Sequence, residues 1–218
     1  VACILAPCGP RFDTLEPQIE GQLLYAGVPF TSNGEDIGRL IVQACEGVDP
    51  CKVAYMPGLP ELPLETARLE GVRSAISGHS NIELILTSGG GYLAETAYPV
   101  AQDLLRAHPD VNVIASSGDQ MIVGVELAVR DAGKVGAIKL VGNGGTKTAV
   151  TAVCEGRWFG TVAYYPRTEG RIAAEYTIRA AQGEAMEPKG MSYPDFGNIA
   201  GALITKDNAC QFQAEWDG

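Results

Sequence analysis

Asp119-Gln-Met-Ile-Val-Gly-Val-Glu-Leu-Ala-Val-Arg-Asp-Ala-Gly-Lys134, followed after Val135 and Gly136 by Ala137-Ile-Lys-Leu-Val-Gly-Asn-Gly-Gly-Thr146, decides the fold. It reads as a helix, a glycine stop, a buried strand and a glycine-rich turn opening the next helix, the repeating unit of an open parallel α/β sheet. Such sheets bind small molecules at the carboxyl ends of their strands, which singles out two turns, Ser117-Gly118-Asp119 and Asn143-Gly144-Gly145-Thr146.

The alternation extends in both directions. Upstream, Val111 to Ala115 and Ile82 to Thr87 read as strands, and Ala97, Val100, Ala101, Leu104 and Leu105 form a helical stripe ending before His108-Pro109. Leu69, Val72 and Ile76 mark another helix, Lys52 to Met56 a strand, and Ile37, Leu40, Ile41 and Ala44 a helix preceded by Thr31-Ser32-Asn33. At the start, Val1 to Pro7 predicts a strand, Leu15, Ile19, Leu23 and Leu24 a helix stopped by Gly27, and Val28-Pro-Phe30 the next strand. Downstream come a helix over Lys147 to Glu155, a strand over Gly160 to Tyr165 and a helix with Ile172, Ala173, Tyr176 and Ala180 on its inner face. Gly183 to Phe196 reads as loop, Asn198 to Ile204 as strand and Asp207 to Trp216 as a final short helix.

The 218 residues suffice for one or two ordinary cores, and 46% hydrophobic with 19% charged residues is globular composition. A net charge of −10 opposes nucleic acid as a partner, since phosphate neutralisation needs clustered Lys and Arg. No run approaches the roughly 20 apolar residues of a membrane span. Six cysteines lack the CxxC spacing of a zinc or redox site. Cys45 and Cys51, six apart across a helix-to-strand turn, either close a small disulfide loop or remain two thiols, and Cys3, Cys8, Cys154 and Cys210 are either bridged or buried.

In this order the pieces resemble a type I periplasmic solute-binding protein of the sugar-binding branch that feeds ABC transporters. The stretches that carry the resemblance are Arg68-Leu-Glu-Gly71, Ala101 to Asp110, Gly118 to Gly124 through Ala132-Gly-Lys134, and Val141 to Thr146 followed by Gly156 to Val162, with Thr205-Lys-Asp-Asn208 later. The resemblance covers nearly the whole chain. It implies two α/β lobes of parallel sheets flanked by helices, closing on a ligand. The implied division is a partial first lobe, 1–32 and 166–198, and a second lobe, 33–165 and 199–218. Val1 falls where the family is already in its third strand, so the expectation is an incomplete sequence, with a fragment or a shortened homologue as alternatives.

The resemblance also implies a set of ligand-binding residues. Arg68 matches an arginine that grips ligand hydroxyls, although an arginine here could instead pair with Glu65 or Glu70 at the surface. Three positions depart from the sugar pattern: an amide or acid before Asp119 is replaced by Gly118, an acid after the Ile138 to Val141 strand by Gly144, and an amide after Ala163 by Tyr164. Asp119 and Asn143 are the remaining polar candidates, and Tyr164 with Tyr165 could stack on a flat ligand. The implied ligand is an aromatic, nucleoside-like or acidic compound rather than a simple hexose, and the implied partner is a membrane permease.

Other features are read as structural. Gly89-Gly90-Gly91 lacks the Gly-Lys-Ser/Thr ending of a phosphate cradle, and His79 and His108 have no metal-ligand spacing around them. Trp158 and Phe159 read as packing against the sheet. There is no Gly-x-Ser-x-Gly elbow, HExxH or dinucleotide fingerprint, so an enzyme is not expected and no cofactor or metal is implied. The expected protein is a monomer, extracytoplasmic and either periplasmic or lipid-anchored. The alternative is the effector-binding domain of a LacI-type transcriptional repressor.

Overall fold

The computed structural model describes residues 1–196 and 201–218. The deciding stretch folds as read: helix α4, Asp119–Asp131, is followed by strand β6, Lys139–Gly144. Its glycine stop has a clear mechanism. Gly133 takes φ 68°, which lets its own N–H bond Arg130 O at 3.0 Å and that of Lys134 bond Val129 O at 3.0 Å.

Around β6 lie β3, Cys51–Met56, β4, Ile82–Leu86, β5, Val113–Ser116, β7, Gly160–Ala163, and β9, Leu203–Thr205. They form one six-stranded sheet in the order β4-β3-β5-β6-β7-β9, parallel except for the β7–β9 pair. β3 and β5 are wholly or almost wholly buried, as strands covered on both faces must be. The connections are α2, Pro63–Ile76, α3, Ala94–Ala107, α4, and α5, Lys147–Cys154; helix α1, Phe30–Ala44, precedes β3. α1 packs on α2, and α3 on α4. Since β4 lies to one side of β3 and β5 to the other, right-handed crossovers put these helix pairs on opposite faces. The reversal also opens a crevice at the carboxyl ends of β3 and β5.

A second, three-stranded parallel sheet joins β1, Ala2–Ile4, β2, Leu24–Ala26, and β8, Gly190–Met191. Helix α6, Pro166–Ala181, packs against β1 and β2. A short helix α7, Tyr193–Phe196, follows β8. Three disulfides join Cys3 to Cys8, Cys45 to Cys51 and Cys154 to Cys210, so the helix-to-strand turn before β3 is a closed loop.

Four expectations need correction. No helix forms over Leu15 to Leu24: Pro17 interrupts it, and Gln18 instead holds a loop through a pair of 2.8 Å bonds with the Arg11 backbone. Val28-Pro-Phe30 is not a strand either, because Pro29 precedes the first residue of α1 and the strand lies earlier, at Leu24–Ala26. The region 183–196 carries β8 and α7 rather than loop alone. The final helix is reduced to a 3₁₀ turn, Ala209–Gln211, after which the chain runs on to Trp216. Of the strand expected over 198–204, residues 198–200 lie outside the described residues and Leu203–Thr205 is β9.

Candidate ligand-binding site

The crevice predicted by the strand order holds a cavity of about 420 Å³, and every strand of the parallel core sends a residue to it. Arg68 comes from α2 after β3, Tyr92 from the turn after β4, Ser117 and Gly118 from the turn after β5, Asn143 from the end of β6 and Tyr164 from just beyond β7. Phe30 and Trp216 complete the wall.

Arg68 is 3% exposed, held by a close approach of two helices. A methyl group on Gly34 of α1 would lie 1.9 Å from the Arg68 carbonyl oxygen, and one on Gly71 2.0 Å from that of Thr31, so only glycine lets these backbones touch. The guanidinium sits over the Phe30 ring, 4.9 Å from its centroid. Its Nε donates to Asn33 Oδ1 at 2.8 Å, and one terminal nitrogen donates to Glu65 Oε1 and to the Tyr92 hydroxyl at 3.1 Å.

Glu65, one helical turn before Arg68, is 2% exposed and gathers the remaining donors. Tyr92 donates to its Oε1 and Ser117 Oγ to its Oε2 at 2.8 Å. Burial opposes the Arg68 charge, but Tyr164, Tyr55 and Glu65 outweigh it and push its pKa further up. Asn33 and Asn143 close on each other through bonds of 2.8 and 3.2 Å, and Asn143 Nδ2 donates to Ser117 O at 3.0 Å. Trp216 Nε1 donates to Gly144 O at 2.8 Å. The polar groups of the crevice are therefore largely committed to one another.

Of the residues expected to bind ligand, Arg68, Asn143 and Tyr164 line the cavity. Asp119 does not. It is buried below the floor, where Oδ1 accepts from Thr161 Oγ1 at 2.7 Å and Oδ2 from Thr146 N at 2.9 Å, tying β7 to the start of α5. Burial pushes its pKa to about 6, against the opposing effect of the Thr146 and Thr161 bonds. Gly144 contributes its backbone, accepting from Trp216 and from Tyr164 N at 3.1 Å. Tyr165 points the other way, as the next residue along an extended chain must, and its ring meets Tyr193, Phe196 and Phe212 at centroid distances of 6.0, 5.9 and 6.0 Å. Arg68 does pair with Glu65, but inside the protein rather than at the surface.

Sequence reasoning missed Phe30, Tyr92 and Trp216, and named Ser117 only as part of the turn before α4. Tyr92 alone left a signal: it follows the three glycines that resemble a phosphate cradle, and takes φ 57°, a conformation that a bulky residue adopts under constraint. The glycines form a turn whose N–H groups bond Pro57 O and Gly58 O at 2.9 and 3.0 Å, delivering the tyrosine to the crevice. Trp158 is buried, with its Nε1 donating to Glu126 at 2.9 Å, away from the cavity.

A family model described as a periplasmic binding protein domain matches residues 11–185. The D-allose-binding periplasmic protein of Escherichia coli K12 is 28% identical over 160 residues, 73% of this chain and 51% of that protein. The ribose import binding protein of Salmonella typhimurium is 28% identical over 138 residues, 63% and 46% respectively. The chain thus spans about half the length of the curated relatives it matches. An ABC transporter solute-binding protein from Mycobacterium smegmatis, solved with bound glycerol, superposes with a TM-score of 0.76 at 27% identity, covering 94% of this chain and 69% of that one.

Proposed function

Because this chain belongs to the periplasmic binding protein domain family and has its type I α/β fold of parallel-dominated sheets and flanking helices, we propose that it captures a small molecule in the cavity beside Arg68 and delivers it to an ABC importer. The role is that of a binding protein rather than an enzyme. Residues 1–32 with 166–198 and residues 33–165 with 199–218 act as the two lobes that close on the ligand, a division supported by the separate three- and six-stranded sheets. An extracytoplasmic location is supported by three disulfides, which persist in oxidising compartments and would be unusual in a cytoplasmic repressor. A permease is the partner the family implies.

The relatives named for ribose and allose make a sugar the first ligand to consider. One observation carries the reading against a simple hexose: the polar side chains of the crevice already satisfy one another. Each hydroxyl buried without a partner costs about 1–3 kcal/mol, and pairing it would break an existing bond. A ring-lined cavity instead suits an aromatic or nucleoside-like compound. A thermal-shift screen of the protein against D-allose, D-ribose, adenosine and simple aromatic compounds tests this. The ring compounds are expected to raise the midpoint and D-allose to leave it unchanged; a shift with D-allose as large as any other would overturn the reading.

A further inference from the structure

The contents of the crevice wall define its selectivity more narrowly. Among the described residues, Arg68 is the one ionic side chain lining the cavity, and four of its neighbours are rings: Phe30, Tyr92, Tyr164 and Trp216. An arginine facing such a cavity would ordinarily select an anion, because its planar fork matches a carboxylate or phosphate. Here Glu65 lies behind it in the same helix and takes that part. It accepts from the Arg68 guanidinium, from Tyr92 and from Ser117, so one buried carboxylate removes the positive charge and turns two hydroxyl donors inward.

Resting on the capture reading above, we propose that Glu65 is the specificity-determining residue of this cavity, making it select an uncharged flat-ring ligand and reject carboxylates. The geometry supports this in two ways. The ion pair sums to zero charge, and an incoming anion would have to compete with a carboxylate that is covalently part of the same helix and already aligned. An incoming cation would meet the guanidinium first, since Arg68 reaches the cavity and Glu65 does not. A neutral ring meets neither obstacle and gains contact with the aromatic side chains of the wall. Glu65 is thus a positioning residue, acting on the ligand through Arg68, and the cavity's neutrality is its signature.

Calorimetric titration of the wild-type protein and of Glu65→Gln with benzyl alcohol, benzoate, benzylamine and D-allose decides the matter. The expected wild-type result is binding of benzyl alcohol with rejection of benzoate and benzylamine. In Glu65→Gln the guanidinium is uncompensated, so benzoate affinity should rise relative to benzyl alcohol by about tenfold or more, the effect of roughly one charge-assisted contact. An unchanged benzoate to benzyl alcohol ratio in that variant overturns the inference. Should Glu65→Gln fail to fold, the wild-type comparison suffices, because benzoate binding there as tightly as benzyl alcohol shows an open guanidinium and overturns it too. D-allose binding tighter than benzyl alcohol would leave the capture reading standing and sink the neutral-ring assignment alone. No binding of any of the four would sink the capture reading, and the assignment with it.

Discussion

Glu169 provides the most direct test of the electrostatics. It sits in the first turn of α6, where the helix dipole favours a negative charge, yet it is 0% exposed. One oxygen, Oε2, accepts from Leu5 N at 3.1 Å, while Oε1 has no hydrogen-bond partner. Burial therefore dominates and raises its pKa from 4.5 to about 8; the Leu5 bond pulls it down and the nearby Glu215 adds to the rise. Tyr25 and Tyr164 also feel this group, but both stay neutral in the same pH range because burial pushes their own pKa values up.

The direction follows from which state holds the proton. Between pH 4.5 and about 8 the unfolded chain loses the Glu169 proton and the folded chain keeps it, so stability present at acid pH is lost as pH rises. At about 1.4 kcal/mol per pH unit, the interval amounts to about 5 kcal/mol. Glu169→Gln has no such slope; it is offset by about 1–3 kcal/mol at every pH because its amide nitrogen takes the unpartnered place. Asp36 and Asp119, both raised to about 6 by burial, contribute slopes of the same sign to both proteins and cancel in the difference. Urea unfolding of wild type and Glu169→Gln from pH 4.5 to 9, with disulfides oxidised, should show their stability difference falling by several kcal/mol against the wild type. A difference constant within about 1 kcal/mol would refute the buried neutral carboxyl.

Two further changes probe the frame. Gly71→Ala places a methyl group 2.0 Å from Thr31 O and should cost about 1–3 kcal/mol in urea unfolding by forcing α2 from α1, whereas Gly78→Ala, with no atom within 4 Å of the added carbon, should stay within about 0.5 kcal/mol. Replacing Cys154 and Cys210 by Ser opens a loop of sequence separation 56 and should cost about 4 kcal/mol, against about 2 kcal/mol for Cys45 and Cys51 with separation 6; the reverse order in the same assay would contradict the loop-entropy account.

The sheet and its helices were legible because their periodicity is enforced by burial: Ala97, Ala101, Leu104 and Leu105 recur at helical spacing and all four face the core. The segment from Leu15 to Leu24 has the same spacing without the same cause, since Pro17 and the Gln18 side chain settle the backbone as a loop. The location of the cavity was legible from the strand-end turns, but the residues that line it were legible only in part. Arg68 and its pairing with Glu65 follow from helical spacing, whereas their burial depends on α1 arriving across Gly34 and Gly71. Adjacent Tyr164 and Tyr165 cannot be told apart without knowing where β7 ends. Trp216 is remote in sequence from everything it touches and reaches Gly144 only because the chain runs past the expected final helix.

The departures from the sugar pattern and the aromatic wall are one change rather than two. A side chain on Gly144 would start 3.1 Å from the Trp216 ring and 2.8 Å from Asp119 Oδ2, on a backbone with φ 152°. One on Gly118 would start 3.0 Å from the Tyr92 ring. Trp216 and Tyr92 therefore occupy space that polar side chains at these positions would need, and the glycines are what admit them. Once the rings are in place, the donors that would have met a ligand hydroxyl have other partners nearby: Tyr92 and Ser117 turn to Glu65, and Trp216 Nε1 to the Gly144 carbonyl. Polar anchors could not return one at a time to such a wall, because a side chain at Gly118 or Gly144 would meet a ring already in place.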